Sequence, residues 1–134
     1  MGANPSCLVA IIEDDADFLK ALERVLLAYG YRVLAFRTAE AYFAADWSAI
    51  TCTVIDIQLG GRKSGIDLGL QLAATGHRPP IVYMTACTDP TLRARAFALG
   101  CAAYLEKPFS TERLVGVIEG LRSSALPAGR GAAT

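Results

Sequence analysis

The chain has 134 residues, which is the length of one ordinary domain and enough for a hydrophobic core without disulfide or metal staples. Hydrophobic residues make up 53% of the chain and charged residues 19%, a composition that excludes intrinsic disorder. The 13 basic and 13 acidic residues give a formal net charge of +0, so the basic excess typical of nucleic-acid-binding proteins is missing.

Membrane insertion and zinc binding are also disfavoured by the sequence. No apolar run approaches the roughly 20 residues that span a bilayer, and the N-terminal segment lacks the pattern of a secretory signal. The four cysteines show no C-x-x-C spacing and there is a single histidine, so a tetrahedral zinc site is not predicted. We therefore expect reduced thiols, a cytoplasmic protein, and no direct contact with nucleic acid or membrane.

Five short apolar runs predict β-strands. Most of these runs do not alternate polar with apolar residues, which indicates strands buried on both faces of a parallel sheet. In chain order the runs are Cys7–Ile12, Arg32–Phe36, Thr51–Ile55, Ile81–Met84 and Ala102–Leu105.

Segments with helical spacing separate the predicted strands. The first carries an apolar stripe and ends before Gly30, a residue type that often terminates helices. The stripe consists of Phe18, Leu22, Val25, Leu26 and Tyr29. The later predicted helices are a short one at Thr38–Ala45, one from Gly65 toward Gly76, one between Asp89-Pro90 and Gly100, and one that begins at Ser110.

The resulting order is strand then helix, repeated five times. Right-handed crossovers then give a doubly wound α/β fold of the flavodoxin type, with a five-stranded parallel sheet in strand order 2-1-3-4-5. We expect residues 1–122 to form this domain and residues 123–134, rich in Ala, Gly and Ser, to be a flexible tail or linker stub.

Polar residues follow the strands at the edge of the sheet where chemistry is expected. Ligands bind such sheets at the carboxyl ends of the strands, in the crevice between the first and third strands. Glu13 and Asp14 follow the first strand, Asp56 the third, Thr85 the fourth and Lys107 the fifth. The second strand is an edge strand, and its following residues are expected to lie away from the crevice.

Three carboxylates at one crevice need compensation. Two of them about 5 Å apart repel by roughly 3 kcal/mol at an effective dielectric constant of about 20. Either their pKa values rise or a cation binds, and oxygen ligands favour Mg²⁺. A carboxylate can also accept a phosphoryl group, with Lys107 supplying charge and Thr85 a hydrogen bond. In isolation, Glu13 and Asp14 could equally be an acidic first helical turn, and Asp56 an ordinary loop carboxylate.

The chain resembles a response-regulator receiver domain of two-component signalling (CheY-like). The similarity covers roughly residues 7–122 and rests on four segments in the right order and spacing. They are Ile11-Ile12-Glu13-Asp14, Val54-Ile55-Asp56, Met84-Thr85-Ala86, and Gly100-Cys101-Ala102-Ala103-Tyr104-Leu105-Glu106-Lys107-Pro108-Phe109.

The resemblance implies a role for each site residue. Asp56 is implied as the phosphoacceptor, with Thr85 and Lys107 in contact with the phosphoryl group. Asp14, Asp56 and the backbone carbonyl of Gln58 are implied as Mg²⁺ ligands. Glu13 would act through metal-bound water, and the Lys107-Pro108 peptide bond would be cis.

The resemblance also implies partners and a switch. The donor would be a phosphohistidine on a sensor kinase or phosphotransfer protein, and the target an output domain or a separate protein. The protein would not be an enzyme beyond its own phosphorylation and dephosphorylation. Phosphorylation draws Thr85 inward, and Tyr104 repacks to alter the surface of the fourth helix, fifth strand and fifth helix. A homodimer is compatible with this scheme.

The chain departs from the family pattern in several places. Glu13 stands where Asp is commoner, and Gly60 replaces the usual proline after the acceptor strand. The loop that follows, up to Gly65, is one residue longer than usual. Gln58 and Cys87 occupy two positions that, in relatives, tune dephosphorylation.

Two other functions remain open from the sequence. A flavin- or nucleotide-binding module of the same topology would receive phosphate after the first strand, where three consecutive acidic residues would repel it. A receiver-like scaffold that binds partners without phosphorylation would require the longer loop to spoil the site.

Overall fold

Five parallel strands form the centre of the protein. The structure is a computed structural model that describes residues 7–46, 49–60, 64–76 and 79–124. Each strand agrees with the predicted run to within one residue at either end, because apolar runs bounded by polar residues mark buried strands well. The strands are β1 (Leu8–Ile12), β2 (Arg32–Phe36), β3 (Cys52–Asp56), β4 (Ile81–Thr85) and β5 (Ala103–Glu106).

Five helices alternate with the strands in the described part of the chain. They are α1 (Ala16–Ala28), α2 (Ala39–Phe43), α3 (Gly65–Thr75), α4 (Pro90–Ala98) and α5 (Thr111–Ser124). Side chains of Asp15, Thr38, Ser64 and Asp89 accept hydrogen bonds from the first turns of α1 to α4, which fixes where each of these helices begins. The second helix is shorter than predicted, with Thr38 as its N-cap.

The predicted stripe of α1 is partly wrong. Leu19, Leu22 and Leu26 are the buried residues of this helix, whereas Tyr29 is exposed. The helix ends at Ala28 and Tyr29 forms its C-cap, so the tyrosine ring leaves the buried face. Phe18 is half-buried at the edge of the same face.

The sheet order is β2-β1-β3-β4-β5 and every pair is parallel, which confirms the predicted doubly wound fold. Every residue of β1, β3 and β4 is buried, as their unbroken apolar runs indicate. One apolar layer packs α1 and α5 against one sheet face, and a second packs α2, α3 and α4 against the other.

Two predicted features, the C-terminal tail and the longer loop after β3, lie partly outside the residues that the structure describes. The predicted tail continues past residue 124, and residues 61–63 of the longer loop also lie outside the described ranges.

Among the described helices, none combines the length and apolar character that a membrane span requires.

Candidate functional site

Three carboxylates meet at the carboxyl ends of β1 and β3. Asp56 is the last residue of β3, and Glu13 and Asp14 directly follow β1, which is the neighbouring strand. One oxygen from each carboxylate lies within 4.8 Å of the others. Glu13 is 1% exposed and Asp56 4%, whereas Asp14 is half-buried. The three acidic residues that the sequence places at one crevice therefore do lie together.

Lys107 joins this cluster from the end of β5. Its Nζ donates to Glu13 Oε1 at 2.7 Å and to Asp56 Oδ2 at 2.9 Å. Its backbone N–H donates to the carbonyl of Thr85 at 2.8 Å, and its peptide bond to Pro108 is cis, as expected. One ammonium thus offsets part of the charge of three carboxylates.

The electrostatics of the cluster follow from burial. Burial raises the pKa of Glu13 to about 7, against the opposing effect of its hydrogen bonds from Lys107 and from the backbone N–H of Asp15. Burial alone would lower the pKa of Lys107, but its hydrogen bonds to Glu13 and Asp56 outweigh that effect and raise it. The lysine therefore stays charged, and the site keeps an excess of negative charge that a cation would neutralise.

Asp56 is held at both of its oxygens. Oδ2 accepts from Lys107, and Oδ1 accepts from the backbone N–H of Gln58 at 2.8 Å. The Gln58 side chain turns toward β4, where its Oε1 accepts from the Thr85 hydroxyl at 3.2 Å. The same Thr85 oxygen accepts from the backbone N–H of Cys87 at 3.0 Å. The backbone of Gln58 therefore contacts the Asp56 carboxylate, and its side chain links this contact to Thr85.

The first residue of α3 lies close to the backbone of Asp56. An added Cβ on Gly65, the first residue of α3, would lie 2.5 Å from the backbone oxygen of Asp56 and 2.8 Å from the Cα of Ile57. The backbone N–H of Gly65 donates to the carbonyl of Ile57 at 2.8 Å. A glycine is thus required for this contact.

Two residues near Asp14 were not anticipated. The backbone N–H of Gly60 donates to Asp14 Oδ2 at 2.8 Å. Arg37 was expected to lie away from the crevice, but its Nη2 donates to the backbone oxygen of Asp14 at 2.9 Å. Arg37 follows β2, which pairs with β1, and its long side chain spans the remaining distance. The unusual glycine was visible in the sequence, whereas no local signal indicated the reach of Arg37.

Phe18 is a further residue that the sequence analysis assigned only to packing. The Lys107 Nζ lies 4.1 Å from the centroid of the Phe18 ring, and that ring meets Phe109 edge-to-face at 6.2 Å. A cation in this position is attracted by the aromatic face. Phe18 therefore packs against the same ammonium that donates to Glu13 and Asp56.

Tyr104 lies on β5, one step back from the site. The strand pairing sets Tyr104 against Tyr83 and Thr85 against Glu106, so Tyr104 and Thr85 share one face of the sheet. Tyr104 is buried, and within the described residues its hydroxyl has no hydrogen-bond partner. Burial raises the pKa of this hydroxyl.

A groove of ≈ 340 Å³ adjoins the ring of Tyr104, between α4, β5 and α5. The guanidinium carbon of Arg93 lies 5.4 Å from the Tyr104 ring centroid and 5.3 Å from that of the exposed Phe97. A movement of the Tyr104 ring would therefore change the shape of the groove between α4, β5 and α5.

Comparison with known proteins agrees with this geometry. The family model for the response regulator receiver domain matches residues 9–119. Transcriptional regulatory protein FixJ of Bradyrhizobium diazoefficiens is 33% identical over 123 residues, covering 91% of this chain and 60% of the relative. Response regulator protein TmoT of Ectopseudomonas mendocina is 30% identical over 112 residues, covering 83% of this chain and 50% of the relative.

Solved structures show the same fold. Full-length FixJ from B. japonicum has a TM-score of 0.84 and 33% identity, covering 95% of this chain and 63% of that one. The non-phosphorylated HemR receiver domain from Leptospira biflexa has a TM-score of 0.80 and 26% identity, covering 90% and 98%. The chain spans about half to three fifths of the curated relatives named above. With the family model matching most of its length and the strand-end residues in place, the chain belongs to the response-regulator receiver domain family.

Proposed function

We propose that Asp56 accepts a phosphoryl group from a phosphohistidine on a sensor kinase or phosphotransfer protein, in a Mg²⁺-dependent reaction. The observation that carries this proposal is the placement of Asp56, 4% exposed, among two further carboxylates and the Lys107 ammonium. Within the described residues, Lys107 is the cationic side chain that contacts these carboxylates, so the cluster keeps an excess of negative charge. This excess supports binding of a divalent ion, and a set of oxygen ligands fits Mg²⁺.

The residues that would hold the ion are Asp14, Asp56 and the backbone carbonyl of Gln58, with Glu13 acting through bound water. Mg²⁺, when bound, would supply positive charge to the oxygens of the transferring phosphoryl group. Side chains of the protein itself would form the bond to phosphorus and donate hydrogen bonds to the phosphoryl oxygens.

Transfer makes one bond and breaks one. An Asp56 carboxylate oxygen forms the bond to phosphorus, while the bond from phosphorus to the donor imidazole nitrogen breaks and its electron pair returns to that nitrogen. Lys107, which already donates a hydrogen bond to Asp56, is placed to donate one to a phosphoryl oxygen. Thr85 would exchange its bond to Gln58 for one to another phosphoryl oxygen.

The movement of Thr85 connects the site to Tyr104. We propose that Tyr104 repacks into the space that Thr85 leaves, which alters the groove between α4, β5 and α5. The buried hydroxyl of Tyr104, which has no partner among the described residues, supports this role because a new position can satisfy it. The partner at this surface would be an output domain, a separate protein target, or a second copy of the chain.

The wider organisation is also proposed. We assign residues 1–122 to the receiver domain and residues 123–134 to a tail or linker. The greater length of the curated relatives supports a connection to an output domain. A cytoplasmic location suits a partner kinase that presents phosphohistidine inside the cell and the free cysteines of the described chain.

The phosphoacceptor is tested by mass spectrometry of the intact chain after treatment with acetyl phosphate and Mg²⁺. We expect the wild type to gain one phosphoryl group, Asp56→Asn to gain none, and omission of Mg²⁺ to abolish the gain. Asp17→Asn, which changes an exposed carboxylate of α1, is the matched control and should be modified like the wild type. Wild-type protein that stays unmodified would support the scaffold alternative instead.

A further inference from the structure

Gly60 contacts one of the site carboxylates through its backbone. Its N–H donates to Asp14 Oδ2 at 2.8 Å, across 46 positions of sequence. A proline at this position would have no backbone N–H and could not donate. The loop after β3 therefore adds a hydrogen bond to the site.

Space, and not backbone conformation, distinguishes glycine from other residues at this position. The described glycines with positive φ are Gly30, Gly76 and Gly100, and Gly60 is not one of them. An added Cβ on Gly60 would lie 2.5 Å from Asp14 Oδ2 and 3.7 Å from Asp14 Cγ. The first distance is shorter than real Cβ contacts, so one of the two groups would have to move. An aspartate side chain is short, so its carboxylate would have to rotate away from the loop to relieve this contact.

Apart from this bond, the hydrogen bond that holds Asp14 among residues 7–46, 49–60, 64–76 and 79–124 is to its backbone, which accepts from Arg37. Its carboxylate is half-buried, unlike those of Glu13 and Asp56, and it is not bonded to Lys107. The Gly60 N–H is thus the protein group that fixes the direction of the Asp14 carboxylate in the described structure.

We propose that Gly60 is a positioning residue for divalent metal binding, an inference that rests on the proposed function of Asp14 as a ligand. The N–H group of Gly60 fixes one oxygen of Asp14, and the carboxylate then presents its other oxygen to the ion. Hydrogen bonds to an ionised carboxylate are stronger than neutral ones, and ligating carboxylates are commonly oriented by such partners.

The test is the Mg²⁺ affinity of the full chain, measured by isothermal titration calorimetry after metal removal. We expect Gly60→Ala, whose added Cβ pushes the Asp14 carboxylate away from the Gly60 N–H, to bind Mg²⁺ about 10- to 100-fold more weakly, the usual effect of losing the hydrogen bond that orients a ligand. Gly116→Ala is the matched control, because an added Cβ on that α5 glycine meets nothing within 4 Å. Its affinity should equal that of the wild type.

A double-mutant cycle assigns the effect to Asp14. In an Asp14→Ala background, Gly60→Ala should add little further loss, because the side chain that Gly60 orients is gone. Equal additional loss in both backgrounds would overturn the positioning role, as would wild-type affinity in Gly60→Ala.

Hydrogen exchange of the Gly60 amide provides a readout in the intact site. The amide proton should exchange slowly in the wild type and quickly in Asp14→Ala, and equal rates would overturn the inference. Failure of the proposed function looks different. If the wild type binds no Mg²⁺, the metal-dependent reaction is wrong and this inference falls with it, whereas normal wild-type binding with an unaffected Gly60→Ala refutes the inference alone.

Discussion

Removing the charge of Asp14 should stabilise the metal-free protein while abolishing its response to Mg²⁺. Asp14→Asn keeps the shape of the side chain and an oxygen that can still accept from Gly60. The carboxylates of Glu13 and Asp56 and the Lys107 ammonium leave one uncompensated negative charge beside Asp14. The Arg37 guanidinium at the Asp14 backbone oxygen is exposed and screened by solvent, so it offsets only part of that charge. Asp14 is therefore repelled by its surroundings when no cation is present.

The size of the effect follows from the geometry. At 4.8 Å, the upper limit of the distances between the site oxygens, and an effective dielectric constant of about 20, one negative charge raises the energy of the Asp14 carboxylate by about 3.5 kcal/mol before Arg37 offsets part of it. Because Asp14 is half-buried, solvent screens part of this repulsion, and we expect Asp14→Asn to raise the free energy of unfolding by about 1–2 kcal/mol. Wild-type protein should gain about 2.7 kcal/mol from Mg²⁺ at 100 times its dissociation constant, and the variant little.

Urea denaturation followed by circular dichroism, in EDTA and again in excess Mg²⁺, measures both effects. A pH of about 8 keeps Glu13 ionised, since its pKa is raised to about 7. Asp17→Asn, which removes an exposed charge from the first turn of α1, is the control: it should lower the free energy of unfolding by less than about 1 kcal/mol and leave the response to Mg²⁺ unchanged. If Asp14→Asn is less stable than the wild type in EDTA, the carboxylates do not repel one another as argued.

Three further predictions test contacts around the site and the core. Phe18→Leu should lower the pKa of Lys107 by roughly half a unit, as expected for losing about 0.5–1 kcal/mol of cation–π attraction, in an NMR titration where Phe18→Tyr keeps the wild-type value. Tyr31→Phe should cost about 1 kcal/mol in urea denaturation by removing the hydrogen bond to Glu119. Hydrogen bonds from Arg122 and Tyr31 lower the pKa of Glu119, so this cost should be present above pH 4.5 and fade as the pH falls through the lowered pKa; a cost independent of pH would contradict the assignment. Gly65→Ala should destabilise the fold by about 1–3 kcal/mol in the same assay, because its Cβ meets the backbone at the acceptor; a neutral result would mean that α3 can shift.

The positions of the main site residues could be predicted because the sheet itself sets them. Buried strands carry unbroken apolar runs, and parallel strands end at one edge, so the first polar residue after each run arrives at that edge. Glu13, Asp56 and Thr85 follow this rule directly, whereas Lys107 comes one residue later, after the exposed Glu106. The same rule says nothing of side-chain rotamers or of loops.

The errors and omissions arise where tertiary geometry decides. Tyr29 fits the helical spacing of α1, yet the helix ends one residue earlier and the ring turns to solvent. Arg37 follows an edge strand and reaches the site only through the length of its side chain. The burial that raises the pKa of Glu13 also depends on packing from several elements, which no single segment encodes.

The contacts that the sequence analysis did not anticipate at the carboxylate cluster, from Arg37 and Gly60, both concern Asp14, a proposed metal ligand. Asp56 and Lys107 are fixed by the ends of buried strands and by each other, so their geometry depends on the fold alone. Asp14 lies one residue further from its strand, and its position depends on Arg37 from the edge strand and on Gly60 from a loop. Because loops and edge strands tolerate change far better than central strands, the orientation of Asp14 is the part of the site that can vary without loss of the fold. In a receiver domain of this kind, differences in metal affinity should therefore arise from the neighbours of Asp14, while the identity of the acceptor stays fixed.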